Sequence, residues 1–370
     1  MGLAGVRHRH GEGVLKVIVQ PLVLHHARKT TLLGLREAFT ALPPPPPPLS
    51  FAEYSTLPTR GRAAYDQARD DFLHLTLRVP TPEQDIGARI LAKLIASNPR
   101  RKNSRRGLMI SAPMFYGKTE LALLLARSTE QSHAARNPDY VDRGEVPVVW
   151  TEMTDHSTGK ALLAQIIEFL APTVSVPLHA NTDRLRKMAV DMLQTHRTKL
   201  LVIDEAHRLG GSEPSSVIKA LQNESSATVL LVGIALGGGK AFGSTEGLQV
   251  RMRCDMVTLR KTDLKEDEGR VLWHRWVAVF DRNLPLCGHA PGLLTRNAAV
   301  LHKAAGGQLS VLAMIVERLI AATLDDTARR NERVTRQRLY AVLDDLRYTT
   351  PVRHKITLED LHEDDLDEAA

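Results

Sequence analysis

The stretch Gly107-Leu-Met-Ile-Ser-Ala112-Pro-Met-Phe-Tyr-Gly117-Lys118-Thr119-Glu120 decides the fold. Gly107 to Ser111 is a short apolar run of strand type, while Leu121 to Arg127 carries the apolar spacing of an amphipathic helix. A strand that passes through Gly-Lys-Thr into a helix is the context of a Walker A loop. The loop's backbone N–H groups and the helix amino terminus then face the same phosphates. Read this way, Ala112, Pro113, Met114, Phe115, Tyr116, Gly117, Lys118, Thr119 and Glu120 form a nucleotide cradle. Lys118 would reach the β and γ phosphates of ATP, and the Thr119 hydroxyl would ligate Mg2+. Ala112 stands where the pattern has its first glycine, so a positive φ there would be strained.

Downstream, Lys199-Leu-Leu-Val-Ile-Asp204-Glu205-Ala206-His207 is an apolar run that ends in two carboxylates. Such a run is a buried parallel strand delivering acids to its carboxyl edge, where open α/β sheets bind ligands. Asp204 is expected to hold Mg2+ through water, and Glu205 to orient and polarise the attacking water. The same four letters occur in DEAH-box helicases. A helicase also needs a second RecA-like domain and a Gln-x-x-Gly-Arg element, and the residues after Thr228 carry neither.

Around these motifs, strand-type runs alternate with helical ones. Strands are expected at 107–111, 146–151, 200–204, 228–233 and 256–259, and helices at 118–131, 158–170, 182–196 and 214–223. This alternation specifies an α/β three-layer sandwich with a parallel sheet. After Thr262 only helical patterns continue, at 266–281, 298–304, 309–323 and 335–346, so a small all-α unit should follow. The resulting division is a nucleotide-binding domain at 107–261 and a helical unit at 262–348, preceded by a helical lead-in at 51–106. Residues 1–50, basic and ending in Pro43 to Pro48, are expected to be a disordered arm with a stiff polyproline linker. Residues 349–370 are expected to be an acidic tail, disordered over 357–370.

Composition narrows the function classes. The chain has 370 residues, 49 Lys plus Arg against 42 Asp plus Glu, a net charge of +7, and 4% aromatic residues. That is enough chain for an ample core. The longest apolar run, Val229 to Leu236, is too short to cross a bilayer, and the charged amino terminus does not read as a signal peptide. A cytoplasmic, nucleoid-associated location is expected. Cys254 and Cys287 form no Cys-x-x-Cys pair, and no His-Glu-x-x-His spacing occurs, so neither a disulfide framework nor a zinc site is supported. A pI near 9.5 and the run Arg100-Arg-Lys-Asn-Ser-Arg105-Arg106 suit contacts to a phosphate backbone. The low aromatic content argues against stacking on single strands.

Arg251 and Arg253 precede the last strand. In ring or filament ATPases a neighbouring subunit supplies an arginine to the γ-phosphate, so both are candidate catalytic residues. Ile234 and Ala235 fall where such ATPases place a polar sensor, and Ser310 where a lid arginine is often found.

The order of these features resembles the AAA+ ATPases of bacterial transposons, the TniB and TnsC families. The resemblance rests on the Walker A at 112–119, the insert through Trp150 and Lys160, Asp-Glu-Ala-His at 204–207, and Arg253-Cys-Asp-Met-Val-Thr-Leu259. It also includes Trp273, Trp276, Phe280 and Asn283-Leu-Pro-Leu286 in the lid, and it spans roughly residues 80–348. It implies an AAA+ P-loop fold with a helical lid, and an ATP- and Mg2+-dependent ATPase. It further implies a homo-oligomer, ring or filament, that marks double-stranded target DNA for a DDE transposase together with the transposon's target-selection protein. Thr158 and Lys160, at a helix start after the second strand, are the expected DNA contacts. A non-hydrolysing nucleotide-gated scaffold and a replication initiator or loader are the alternatives.

Overall fold

The computed structural model describes residues 28–362 except 41, 175, 177, 178, 180, 210–211, 239–241, 326–330 and 350–355. In chain order, α1 (Leu32–Ala38), α2 (Phe51–Thr56), α3 (Thr59–Asp71) and α4 (Pro82–Ser97) lead into β1 (Gly107–Ser111) and α5 (Lys118–Arg136). Next come β2 (Val148–Glu152), α6 (Gly159–Leu170), α7 (Thr182–Thr195), β3 (Leu200–Asp204), α8 (Ser212–Glu224), β4 (Thr228–Gly233), α9 (Thr245–Met252) and β5 (Cys254–Thr258). Among the described residues, five α-helices follow the last strand: α10 (Asp267–Arg282), α11 (Leu293–Arg296), α12 (Ala298–Ala305), α13 (Leu309–Leu324) and α14 (Arg336–Thr349).

The strands form one parallel sheet in the order β2-β3-β4-β1-β5. Every residue of β1, β3 and β4 is buried, as a sheet covered on both faces requires. Gly107 is needed where it stands, because a Cβ there would lie 2.7 Å from the Val229 carbonyl oxygen and 2.9 Å from Cys254 Sγ. The helices begin where side chains can replace the missing backbone acceptors. Thr158 caps α6 by accepting from Ala161 N, Asn181 caps α7, Ser244 caps α9, and Thr81 with Gln84 makes a capping box on α4.

Two hydrophobic cores result. One surrounds the sheet; the other gathers Trp273, Trp276, Phe280, Leu312, Ile315 and Leu319 of the closing helices. The lead-in divides between them. Leu91 and Leu94 of α4 pack into the sheet core, whereas Phe72, Leu73, Leu77 and Val79 just after α3 pack into the helical core. Arg69 of α3 is buried there in an ion pair with Glu332.

The flanks differ from the expectation of disorder. Residues 1–27 lie outside the described residues, but α1 buries Leu35 in the sheet core, and the Arg36 guanidinium lies 3.5 Å from Glu130. The prolines are fastened along the body, where carbonyls with no paired N–H serve as acceptors. Pro43 O accepts from Thr76 Oγ1 at 2.7 Å and Pro47 O from the Tyr65 hydroxyl at 3.0 Å. At the other end Ile356 and Leu361 are buried in the helical core, and His362 N donates to Asn297 Oδ1; 363–370 lie outside the described residues. Two apolar side chains thus hold the start of the acidic segment. No single described helix is long and apolar enough to cross a membrane.

Candidate functional site

The loops after β1, β3 and β4 leave the same edge of the sheet, which is what brings the two motifs together. In the loop after β1 the left-handed backbone falls at Phe115 (φ 62°) and Gly117 (φ 76°). Ala112 is not among the positive-φ residues, so its methyl carries no such strain; it is buried, and its N–H donates to Gly233 O at 3.3 Å. Met114 and Phe115 form an exposed tip, 65% and 77% accessible.

Lys118 opens α5 and is buried, with its ammonium donating to Pro113 O at 2.6 Å. Burial pushes its pKa below the ordinary lysine range, and the Glu205 and Asp204 carboxylates oppose that shift. Thr119 Oγ1 donates to Asp204 Oδ2 at 3.1 Å. Asp204, at the end of β3 and 1% exposed, has its pKa pushed up by burial. Lys29, the Glu205 N–H at 2.9 Å and Thr119 counteract this. Glu205 has a left-handed backbone (φ 54°) and accepts from Arg208 Nε at 3.0 Å. Arg208 Nη1 also holds Asp155 at 3.1 Å, and a bridge between Ser157 and Leu209 pins the β2–α6 loop to the turn after β3.

Met114 to Glu120, Asp204, Glu205, Ile234 and Lys29 line a cavity of about 590 Å³. A second cavity of about 340 Å³ shares Tyr116, Gly117 and Glu120 and continues between the lead-in and the lid. Its apolar walls include Leu77, Val79, Leu259, Trp276 and Phe280. The lid closes on the loop directly, since the Ser310 hydroxyl donates to Phe115 O. A polar end rich in cations and hard oxygens, joined to an apolar slot, can hold a polyphosphate and a planar base together.

The remaining sequence candidates lie elsewhere. Arg253 caps the end of α9; its carbonyl accepts from Gly107 N at the amino edge of the sheet, and its guanidinium donates to Asn223 Oδ1 at 2.9 Å. Five strand residues separate that edge from the phosphate loop, about 16 Å, so Arg251 and Arg253 cannot serve their own subunit's cavity. Thr158 is spent as the cap of α6, and Lys160 in the next turn is partly exposed. In the basic run, Arg105 donates to the Asn223 carbonyl at 2.8 Å and Arg106 pairs with Asp255 at 2.6 Å. Arg100, Arg101 and Lys102 remain exposed. Lys29, Arg208 and the apolar slot are the parts that sequence reasoning missed. Lys29 and the slot depend on segments distant in the chain, and Arg208 joins the local Glu205 to the distant Asp155; only the basic character of the arm hinted at Lys29.

Residues 83–259 match the family model of the bacterial TniB protein. This stretch is similar to the TniB family. No curated protein matches the chain. Among solved structures, the Aeropyrum pernix ORC2 protein in its ADPNP–ADP complexes is 14% identical, with a TM-score of 0.55 over 74% of this chain and 71% of that one. Cdc6p from Pyrobaculum aerophilum is also 14% identical, with a TM-score of 0.51 over 78% and 72%. At such identities the likeness concerns the fold alone, an AAA+-type parallel sheet followed by a helical region.

Proposed function

We propose that the chain is a Mg2+- and ATP-dependent ATPase of bacterial DNA transposition. In this reading it assembles as a ring or filament on double-stranded DNA and brings a DDE transposase to the site, in concert with a target-selection protein. The observation that carries the reading is the meeting of Lys118, Thr119, Asp204 and Glu205 under one cavity, within a TniB-family stretch. The ADPNP and ADP of the ORC2 structure support nucleotide as the ligand of a cavity of this kind.

The residues suit Mg2+. Thr119 Oγ1 and the Asp204 carboxylate are two hard oxygen donors side by side. That ligand-poor arrangement matches an ion whose shell is completed by phosphate and water. When bound, the ion neutralises charge on the transferring phosphoryl group. The chain's own residues do the rest. Lys118 turns from Pro113 O to the phosphates, and the loop N–H groups fix the chain of phosphates. Glu205, once free of Arg208, accepts a hydrogen bond from the attacking water and aligns it. Arg253 of a neighbouring subunit serves the γ-phosphate, because its own cavity is out of reach. Lys160 and Arg100 to Lys102 offer cations to a duplex backbone.

Ile234 at the polar-sensor position and Glu205 held by Arg208 favour one second reading, a nucleotide-gated scaffold that hydrolyses slowly or not at all. Replacing Lys118 with Ala tests the common premise. A direct titration with a fluorescent ATP analogue should lose binding, and retained affinity would refute the nucleotide site. Phosphate release by wild type, with and without duplex DNA, separates ATPase from scaffold.

A further inference from the structure

The amino-terminal segment delivers a cation to the carboxylate expected to hold the metal. Lys29 Nζ lies 3.8 Å from Asp204 Oδ2 and 5.0 Å from the centre of the Trp150 ring, with its side chain about a third exposed. Lys29 is placed by a fastened segment. The Thr31 N–H and hydroxyl both donate to Arg28 O, at 2.9 and 2.8 Å, and the same hydroxyl accepts from Gly34 N to cap α1. The helix is anchored in turn by buried Leu35 and by Arg36, which donates to Glu145 O.

Asp204 Oδ2 is also the oxygen that Thr119 Oγ1 meets at 3.1 Å. A divalent ion on Thr119 that is linked through water to Asp204 would draw on the same oxygen. A buried carboxylate without a counter-charge is costly, which gives Lys29 a purpose in the metal-free protein. An ammonium and a divalent ion around one oxygen repel each other, and solvent screens them poorly beside a buried group. The cation–π contact gives Lys29 a resting place on the β2 side of Asp204, away from the loop amides that would hold phosphate.

We propose that Lys29 is an internal counter-cation of the metal site, displaced from Asp204 when metal and nucleotide enter together, so that the Arg28–Thr31 turn loosens as the site fills. This rests on the nucleotide reading above and adds to it a built-in competitor for the metal.

The test uses the full chain and a fluorescent ATP analogue titrated at increasing free Mg2+. Lys29→Gln should lower the half-saturating Mg2+ by about fivefold, the scale of a partly exposed ion pair. Lys29→Arg should keep the wild-type demand. In wild type, amide hydrogen exchange over residues 28–34 should quicken when Mg2+ and analogue are both present and not with either alone. Ligand binding ordinarily slows exchange near its site, so quickening is diagnostic. An unchanged Mg2+ demand in Lys29→Gln overturns the proposal, as does weaker analogue binding at saturating Mg2+, which would put Lys29 on the phosphates. Unchanged or slowed exchange overturns it too. A wild type that binds no analogue sinks the nucleotide reading and this proposal together; one that binds it, with any of the contrary results above, sinks this proposal alone.

Discussion

At the scale of single residues, the proposed chemistry rests on four side chains at one sheet edge, Lys118, Thr119, Asp204 and Glu205, and each role makes a separable claim. Glu205 accepts from Arg208 at 3.0 Å, and its backbone N–H donates to Asp204. Glu205→Gln keeps shape and volume but loses the acceptor that aligns water. Phosphate release should therefore fall about a hundredfold or more while analogue affinity stays near wild type. Equal turnover in the two proteins would remove Glu205 from the reaction. Arg208→Ala frees the same carboxylate and should raise basal turnover without DNA; a fall would show that Arg208 positions Glu205 productively. Lys118, Thr119, Asp204 and Glu205 were legible in the sequence because each motif is local, with spacing and flanking apolar run carried within the single stretches 107–119 and 199–207. Lys29 and Arg208 were not. Lys29 meets Asp204 from far away in the chain and Arg208 ties the neighbouring Glu205 to the distant Asp155, and no periodicity announces such long-range pairings.

At the scale of elements, apolar pattern and turn chemistry located the five strands and most of the helices, but not α1, α9 or α11. The ends of β1, β3 and β4 follow from apolar runs bounded by Ser111, Asp204 and Gly233. The edge strands were harder to delimit, since β2 extends to the exposed Glu152 and β5 begins at Cys254 with little burial. The sequence also misled about the amino-terminal segment, because polyproline composition is compatible with a free linker and with a strap whose carbonyls accept from Thr76 and Tyr65. Two element contacts can be tested. Gly307, in the turn between α12 and α13, has φ 75°, and a Cβ there would lie 2.3 Å from the Thr262 carbonyl oxygen. Gly307→Ala should cost about 2 kcal/mol or more of stability by thermal melting, and weaken analogue binding by unseating the lid. Where α1 meets β2, Glu145 has its pKa lowered to about 2, chiefly by the hydrogen bond from Arg143, with burial opposing and His133 and Arg197 assisting. A folded value below the unfolded one, roughly 4.3 for Glu, means that the stabilisation is present above that pH and is lost as pH falls towards the folded value. Glu145→Gln should therefore flatten the acid side of the melting-temperature profile, and an unaltered slope between those two values would dismiss the network.

At the scale of the whole molecule, the two cavities that meet at the loop after β1 lie at the carboxyl edge of the sheet, whereas Arg251 and Arg253 lie at the amino edge. Such a body is incomplete for hydrolysis by itself under the proposed function, and complete when the amino edge of one copy faces the loop tip of the next. Under that proposal the separation also explains why sequence spacing could nominate Arg253 without revealing its target, which would belong to another copy. Arg253→Ala should leave analogue affinity intact and abolish turnover of the assembly. Mixing decides whether the arginine acts between copies, because Lys118→Ala subunits retain Arg253 and can serve Arg253→Ala subunits that retain Lys118. Activity regained on mixing two inactive proteins is expected, and none regained at any ratio would refute action in trans. DNA enters at the same scale. If assembly lines up Lys160 and Arg100 to Lys102 along one duplex, affinity with a non-hydrolysable analogue should be independent of base sequence. It should also fall with salt on a log–log slope of about −0.9 per phosphate contacted. Without analogue each copy offers a few phosphate contacts alone, so binding should be weak and the slope shallow. Lys160→Ala should reduce the slope of the assembled form in an anisotropy titration, leaving sequence indifference untouched. Absence of duplex binding at low salt, with and without the analogue, would overturn assembly on DNA while leaving the nucleotide site standing.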